Sequence, residues 1–272
     1  MKIEKMFSGL EGRAAFMPYV CCGDPSVEFS VRLVETLVSN GADAIEMGIP
    51  FSDPIADGKT IEAASSRALA NGMTPRKAFE AIAQIRKNGI EAPIIAMTYY
   101  NIVFANGVEN FLKSLKESGA DGLIVPDAPL EESGLLQELC LKSGIDLIYL
   151  ITPNCSDERI GKIAQKARGF LYAVSVLGIT GARENVASGA IELVERAKKI
   201  TKLPIAAGFG ISKPEHARIL EKAGADGIIV GSALVNIYFG HMDNNAMGAD
   251  GEKLALEEIA AFARQMKGAK MG

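Results

Sequence analysis

A carboxylate inside an apolar run is the feature of this sequence that most directly suggests chemistry. Glu46 lies within residues 44–49, whose length and flanking glycine and proline predict a short buried strand. Burying an ionised glutamate costs free energy unless a partner is present or its pKa rises. Asp53 and Asp57 follow on a loop directly beyond the strand. The buried Glu46 and a more solvated aspartate on this loop would be two acids in unlike surroundings, which suits paired acid and base chemistry.

Each of these acids also has a purely structural interpretation. Glu46 would then be the buried partner of a lysine or of backbone amides, and the two aspartates would be turn residues. The position of Glu46 near the rim of an active site favours a catalytic role. Taken alone, Asp53 and Asp57 are more typical of turns.

Glycines follow three consecutive predicted strands in the second half of the chain, within 178–181, 207–212 and 230–233. Glycine lets backbone N–H groups approach an anion closely. Ser232 begins a predicted short helix, 232–238, whose amino end favours negative charge. Each glycine pair is a weak signal by itself. Their recurrence at successive strand ends predicts a phosphate site.

The sequence predicts eight strand–helix units, and these would position the acids and the glycine loops. A turn with the sequence Gly-Ala-Asp precedes three of the strands, and a weaker copy precedes a fourth. Near-continuous apolar strands with helices between them predict a parallel sheet covered on both faces, and eight units predict closure. We therefore expect an α/β fold, a single-domain (β/α)8 barrel over 1–272 with extra short helices at the N-terminus and after strand eight. An open doubly wound sheet is the alternative. The predicted strands are 14–21, 44–49, 93–98, 122–126, 146–151, 169–175, 203–207 and 227–231.

Two polar loops and several side chains at strand ends are also expected near the carboxyl ends of the barrel strands, where the active site would lie. The sequence predicts a mobile lid over 178–189 and a surface excursion over 241–251 before a last helix, 252–266. Neither histidine lies where a histidine-centred triad would need it. The polar residues expected to line the pocket are Tyr99, Tyr100, Asn101, Asp127 and Tyr172.

Composition narrows the functional class. The 272 residues are 48% hydrophobic with a net charge of −4, so nucleic acid and anionic membranes are not expected partners. The four cysteines form no CxxC pair, which argues against a zinc site or a redox dithiol. No signal peptide or membrane span is predicted. We expect a cytoplasmic enzyme that needs no metal or bound cofactor.

Five segments together resemble the tryptophan synthase alpha chain family, in the same order and over nearly the whole chain. The motif Pro-Phe-Ser-Asp-Pro-x-Ala-Asp-Gly within 46–58 is highly specific. The resemblance implies cleavage of indole-3-glycerol phosphate into indole and glyceraldehyde 3-phosphate, with Glu46 and Asp57 as the two catalytic carboxylates. The other segments are 125–132, Tyr172 with 175–181, 208–211 and 230–233.

The resemblance also implies binding residues and a partner. The expected partner is a pyridoxal-phosphate-dependent beta chain that receives indole through a tunnel in an assembly of two alpha and two beta chains. Tyr19 and Val176 depart from residues common in the family. The implied phosphate ligands are Gly181, Gly210, Gly231 and Ser232; the implied substrate neighbours are Tyr172, Thr180 and Phe209; the implied interface residues are Asp53, Pro54, Asn101 and Pro129.

Two other functions fit parts of the pattern. Another phosphosugar barrel, such as an isomerase or epimerase, would share the glycine loops after strands seven and eight but would not need two carboxylates around a ring. A non-catalytic phosphate sensor or scaffold would not need Glu46 and Asp57. Indole release from indole-3-glycerol phosphate would distinguish the lyase from both.

Overall fold

The computed structural model describes residues 2–10, 12–174, 183–208 and 210–267. Eight parallel strands pair in chain order, and β8 closes the sheet by pairing with β1, so the expected (β/α)8 barrel is confirmed and the open sheet is wrong. The strands are β1 Ala15–Cys21, β2 Ile45–Gly48, β3 Ile94–Met97, β4 Gly122–Ile124, β5 Asp146–Ile151, β6 Leu171–Val174, β7 Ile205–Gly208 and β8 Gly227–Val230.

Helices alternate with these strands and cover the outside of the barrel. They are α1 Lys2–Ser8, α2 Val27–Ser39, α3 Lys59–Ala70, α4 Pro75–Lys87, α5 Tyr100–Ala105, α6 Val108–Glu117, α7 Gly134–Ser143, α8 Asp157–Lys166, α9 Arg183–Ile200, α10 Pro214–Lys222, α11 Ser232–Phe239 and α12 Ala249–Lys267. The short helices expected at the N-terminus and after strand eight are α1 and α11.

Two sequence-based expectations need correction. Residues 183–189 of the predicted lid form the start of α9, and only 178–182 lie outside the described residues. The predicted excursion over 241–251 ends early, because α12 begins at Ala249 rather than at residue 252. In both cases a polar, glycine-bearing composition suggested a loop, whereas glycine inside a helix costs only about 1 kcal/mol relative to alanine.

Side-chain alternation divides the core into two parts. One set of strand residues packs outward against the helices, and the other fills the barrel interior. Helix α1 closes the N-terminal end of the barrel, where Ile3 is fully buried and the rings of Phe7 and Phe170 lie 5.8 Å apart. Helix α1 does not cover the opposite end, where the strands reach their carboxyl termini and where the candidate active site lies.

The described residues contain no helix long and apolar enough to cross a membrane, and no group of three or more potential metal ligands. All four cysteines are free thiols. Cys21, Cys22 and Cys140 are buried, and Cys155 is partly exposed.

Candidate active site

Glu46 points into the barrel from the middle of β2. Its strand neighbours are Tyr19 on β1 and Ile95 on β3. The side chain is 1% exposed, and its Oε2 atom has no hydrogen-bond partner among the described residues. Burial, with a further contribution from the charge of Asp57, raises the Glu46 pKa to about 8, although a hydrogen bond with Tyr172 acts in the opposite direction. Glu46 is therefore mostly protonated near neutral pH.

Asp57 approaches the same end of the barrel from the loop between β2 and α3. Burial raises the Asp57 pKa to about 6; a hydrogen bond with Tyr99 lowers it and the charge of Glu62 raises it. The Tyr99 hydroxyl also accepts a hydrogen bond from the Ala56 N–H at 3.1 Å. This tyrosine, at the end of β3, thus holds the loop that carries Asp57. At neutral pH Asp57 is mostly ionised while Glu46 is mostly protonated.

Two glycines create the space for the tyrosines beside Glu46. A Cβ atom at Gly208 of β7 would lie 2.6 Å from the Tyr172 hydroxyl, and one at Gly48 would lie 2.1 Å from the Tyr19 hydroxyl. Any larger residue would displace these rings. Sequence reasoning missed this role of both glycines, because the close approach depends on the pairing of β6 with β7 and of β1 with β2.

A backbone cradle lies at the end of β8. Gly231 precedes α11, and the first helical hydrogen bonds run from the N–H groups of Leu234 and Val235 to its carbonyl. In a helix start of this kind, the N–H groups of Ser232 and Ala233 point out of the first turn. A Cβ at Gly231 would meet Tyr19 Cβ at 3.3 Å. The cradle therefore lies against Tyr19, the strand neighbour of Glu46.

The remaining predicted ligands divide into two groups. Gly210 lies after β7 with a φ of +61° and is exposed, and among the described residues a Cβ atom placed on it would meet nothing within 4 Å beyond its chain neighbours. Thr180, Gly181, Phe209 and the departing residue Val176 lie outside the described residues. Their predicted roles stay predictions.

The residues expected to face a partner follow three neighbouring strands, on the loops after β2 and β4 and on α5 after β3. Asp53, Asn101 and Pro129 are exposed, and Pro54 is partly exposed. Sequence reasoning missed two exposed apolar side chains in the same segments, Ile55 on the loop after β2 at 81% and Phe104 on α5 at 67% exposure. Both side chains are therefore accessible for contact with a partner.

Other polar candidates have structural roles or lie elsewhere. The carboxylate of Asp127 accepts a hydrogen bond from the Tyr100 N–H at 2.8 Å, which joins the ends of β3 and β4. His241 pairs with Glu258 of α12 at 2.8 Å, away from Glu46. A cavity of about 1270 Å³ opens at the N-terminal end of the barrel, but neither Glu46 nor Asp57 lines it.

Comparison with known proteins agrees with this geometry. Residues 7–269 match the family model described as tryptophan synthase alpha chain. The tryptophan synthase alpha chain of Methanocaldococcus jannaschii is 48% identical over 255 residues, covering 93% of this chain and 90% of that protein. That of Gloeobacter violaceus is 43% identical over 268 residues, covering 98% and 94%.

Solved structures give the same result. The Pyrococcus furiosus tryptophan synthase a2b2 complex contains a chain with a TM-score of 0.85 and 40% identity, covering 93% of this chain and 98% of that one. Tryptophan synthase subunit alpha from Legionella pneumophila has a TM-score of 0.87 and 35% identity, covering 98% and 97%. The chain described here belongs to the tryptophan synthase alpha chain family.

Proposed function

We propose that this chain is a carbon–carbon lyase that cleaves indole-3-glycerol phosphate to indole and glyceraldehyde 3-phosphate in tryptophan biosynthesis. The observation that carries the proposal is the buried carboxyl of Glu46 at the active end of the barrel, mostly protonated near neutral pH, with the mostly ionised Asp57 beside it. Such a pair supplies an acid and an anion to one substrate at the same pH.

The reaction needs one proton delivered and one removed. Glu46 gives its proton to C3 of the indole ring, and the positive charge that develops on the ring is stabilised by Asp57 at the ring nitrogen. The bond between C3 and the side chain then breaks, and its electron pair returns to the ring. The Glu46 carboxylate takes the proton of the adjacent side-chain hydroxyl as the aldehyde forms. The carboxyl is thereby restored, and no other reactant is consumed.

Tyr172 supports this role of Glu46. Tyr172 shares a hydrogen bond with the carboxyl, whose Oε2 has no partner among the described residues, so we propose that this oxygen is the one available to substrate. The Tyr172 side chain also keeps part of its surface exposed at the end of β6. We assign it as a neighbour of the substrate ring, and we keep Thr180 and Phe209 in the same predicted group.

The phosphate group would bind at the end of β8. The N–H groups at the start of α11, with Gly231 and Ser232, offer donors and the positive end of a helix dipole. Gly210 is proposed to add a backbone donor from the next loop, and Gly181 completes the predicted set. Tyr19 lies between this cradle and Glu46, because it contacts Gly231 and pairs with Glu46 in the sheet. The proposed substrate would place its phosphate at the cradle and its ring at Glu46, at opposite ends of a three-carbon chain.

The proposed partner is a tryptophan synthase beta chain in an assembly of two alpha and two beta chains. Its binding face would consist of the loops after β2 and β4 and of α5 after β3, with Asp53, Pro54, Asn101 and Pro129. Ile55 and Phe104 are the apolar side chains most able to contribute affinity there, because each is more than half exposed in the free chain. Indole transfer through this face is part of the proposal, as is the cytoplasmic location expected from the sequence.

The test is indole release from indole-3-glycerol phosphate, with and without a beta chain. Glu46→Gln keeps the shape of the side chain but removes its acid, so kcat should fall by a factor of about 100 or more. Glu109→Gln, on the exposed face of α6, is the matched control and should keep full activity. Retained turnover in the Glu46 variant would exclude this carboxyl as the acid. Turnover of a sugar phosphate without indole, or phosphate binding without turnover, would favour the isomerase or the sensor instead.

A further inference from the structure

A buried carboxylate outside the barrel mouth joins the last turns of two helices. Asp24 lies in the turn after β1 and is 0% exposed. Arg67 of α3 donates to it twice, from Nε to Oδ1 at 2.9 Å and from Nη2 to Oδ2 at 2.7 Å. The Tyr238 hydroxyl of α11 donates to Oδ2 at 2.6 Å. Paired charge-assisted hydrogen bonds are strong and geometrically specific, so Asp24 fixes α3 relative to α11.

The same two helices begin at the candidate active site. Helix α3 starts directly after Gly58, next to Asp57, and α11 starts after Gly231 with Ser232. The two helices also approach each other at these first turns, because a Cβ at Gly231 would lie 3.5 Å from Ile61 Cδ1 of α3. One end of the helix pair therefore carries a catalytic candidate and a phosphate cradle, and the other end carries the Asp24 cluster.

The cluster has little room to relax. The Arg67 guanidinium lies 4.7 Å from the centre of the Phe239 ring, and its side chain is 13% exposed. The Tyr238 ring makes an edge contact with Phe29 of α2 at 5.4 Å. Helix α11 is only about 12 Å long, so a change of tilt at its last turn moves its first turn. Loss of a hydrogen bond to Asp24 is thus transmitted to the N–H groups of Ser232 and Ala233.

We propose that Asp24, Arg67 and Tyr238 are positioning residues that set the place of the α11 amino end relative to the Asp57 loop, and so set the affinity for a phosphorylated substrate. This inference rests on the proposed function in one respect, since it takes the start of α11 as the phosphate end of the site. None of the three residues touches the reacting atoms. Their effect is expected in binding of the phosphate group rather than in the proton transfers.

The test is Tyr238→Phe in the full chain. This variant keeps the ring and its contact with Phe29 but removes the hydroxyl that donates to Asp24. A hydrogen bond of ordinary strength corresponds to a factor of about three to ten. We expect the dissociation constant for D-glycerol 3-phosphate, measured by calorimetry, to rise about threefold or more. The KM for indole-3-glycerol phosphate should rise in parallel, with kcat changed less than twofold.

A matched control removes an equally buried hydroxyl elsewhere. Tyr149 of β5 shares a 2.7 Å hydrogen bond with Ser133, on the outer side of the barrel. Tyr149→Phe should lower the melting temperature comparably without changing the affinity for D-glycerol 3-phosphate. Arg67→Lys, which keeps the charge but loses the paired geometry, should weaken the affinity in the same direction as Tyr238→Phe.

The outcomes separate this inference from the proposed function. Unchanged affinity and KM in Tyr238→Phe, or an equal loss of affinity in Tyr149→Phe, would overturn the positioning role. A fall in kcat with unchanged KM would overturn it as well. If the unsubstituted chain releases no indole, the proposed function fails, while the calorimetric comparison still decides the inference. A chain that binds no D-glycerol 3-phosphate would overturn both the phosphate cradle and its positioning.

Discussion

Replacing Glu46 by glutamine should stabilise the folded chain in alkaline solution. The folded structure holds the Glu46 pKa at about 8, against an ordinary value of 4.5. Between these values the unfolded chain has released a proton that the folded chain still holds, so the free energy of unfolding falls as pH rises. Each pH unit in this window costs about 1.4 kcal/mol. Glutamine has no proton to release and removes the cost.

The size of this change in the free energy of unfolding follows from the interval between the two pKa values. Between pH 5 and pH 8 the stability of Glu46→Gln relative to the unsubstituted chain should increase by about 3 kcal/mol, allowing for the curvature near both pKa values. This is a large part of the roughly 5 to 15 kcal/mol typical of folded proteins. The Tyr172 hydroxyl can donate to the glutamine oxygen as it does to the carboxyl, so the contact survives the substitution.

Urea unfolding at pH 5, 6.5 and 8 measures this difference directly. Glu109→Gln serves as the control, because its carboxylate is exposed on α6 and remains hydrated in both states. A difference between Glu46→Gln and the unsubstituted chain that stays constant across the three pH values would refute the reasoning. It would mean that the buried carboxyl is no easier to protonate in the folded state, and the assignment of Glu46 as an acid would lose its physical basis.

Three further measurements test the site and its proposed binding face. The dependence of kcat/KM on pH should be bell-shaped, rising near pH 6 as Asp57 ionises and falling near pH 8 as Glu46 loses its proton. Asp57→Asn should abolish the rise on the acidic side of this profile. Gly208→Ala should reduce kcat/KM by about tenfold or more, because the new Cβ would lie 2.6 Å from the Tyr172 hydroxyl and displace its ring. Phe104→Ser should weaken beta-chain binding by about tenfold without altering indole release by the isolated chain.

Matched variants check these predictions. A flat pH profile between 6 and 8 would contradict the assignment of the two carboxyls. Gly134→Ala at the start of α7 should leave kcat/KM unchanged, because beyond its chain neighbours and its own helix backbone the new Cβ would meet no described atom within 4 Å. Leu254→Ser on α12, an exposed apolar residue remote from the loops after β2 to β4, should leave beta-chain affinity intact. Equal loss in the Leu254 and Phe104 variants would contradict the proposed face.

Barrel closure could be predicted because each strand is buried on both faces and therefore appears as a short apolar run. Strand ends were predicted within about two residues, as the difference between residues 203–207 and Ile205–Gly208 illustrates. The start of α9 was not predicted, since residues 183–189 have a loop-like composition and no clear apolar period. Helix boundaries of that kind depend on packing that composition does not record.

The contacts within the site were less accessible to sequence reasoning. Glu46 could be proposed as a site residue from the sequence, because a carboxylate inside an apolar strand is unusual, and the structure places it buried on β2. The hydrogen bond between Tyr99 and Asp57 depends on the path of the loop over residues 49–58, which no local pattern specifies. The hydrogen bond from Tyr238 to Asp24 joins residues 214 positions apart in the chain. Such contacts follow from barrel closure, which brings the first and last units together.

Three buried carboxylates show which features distinguish the proposed catalytic acid from the other two. Asp24 receives three hydrogen bonds from Arg67 and Tyr238, so its charge is fully satisfied. Both oxygens of Asp146 lack a hydrogen-bond partner among the described residues, and burial raises its pKa to about 6, yet it lies at the closed end of the barrel beneath α1. Of these three, Glu46 alone combines an unsatisfied oxygen with a position at the open end. Burial makes a carboxyl a usable acid, but the end of the strand on which it lies determines whether a substrate can reach it.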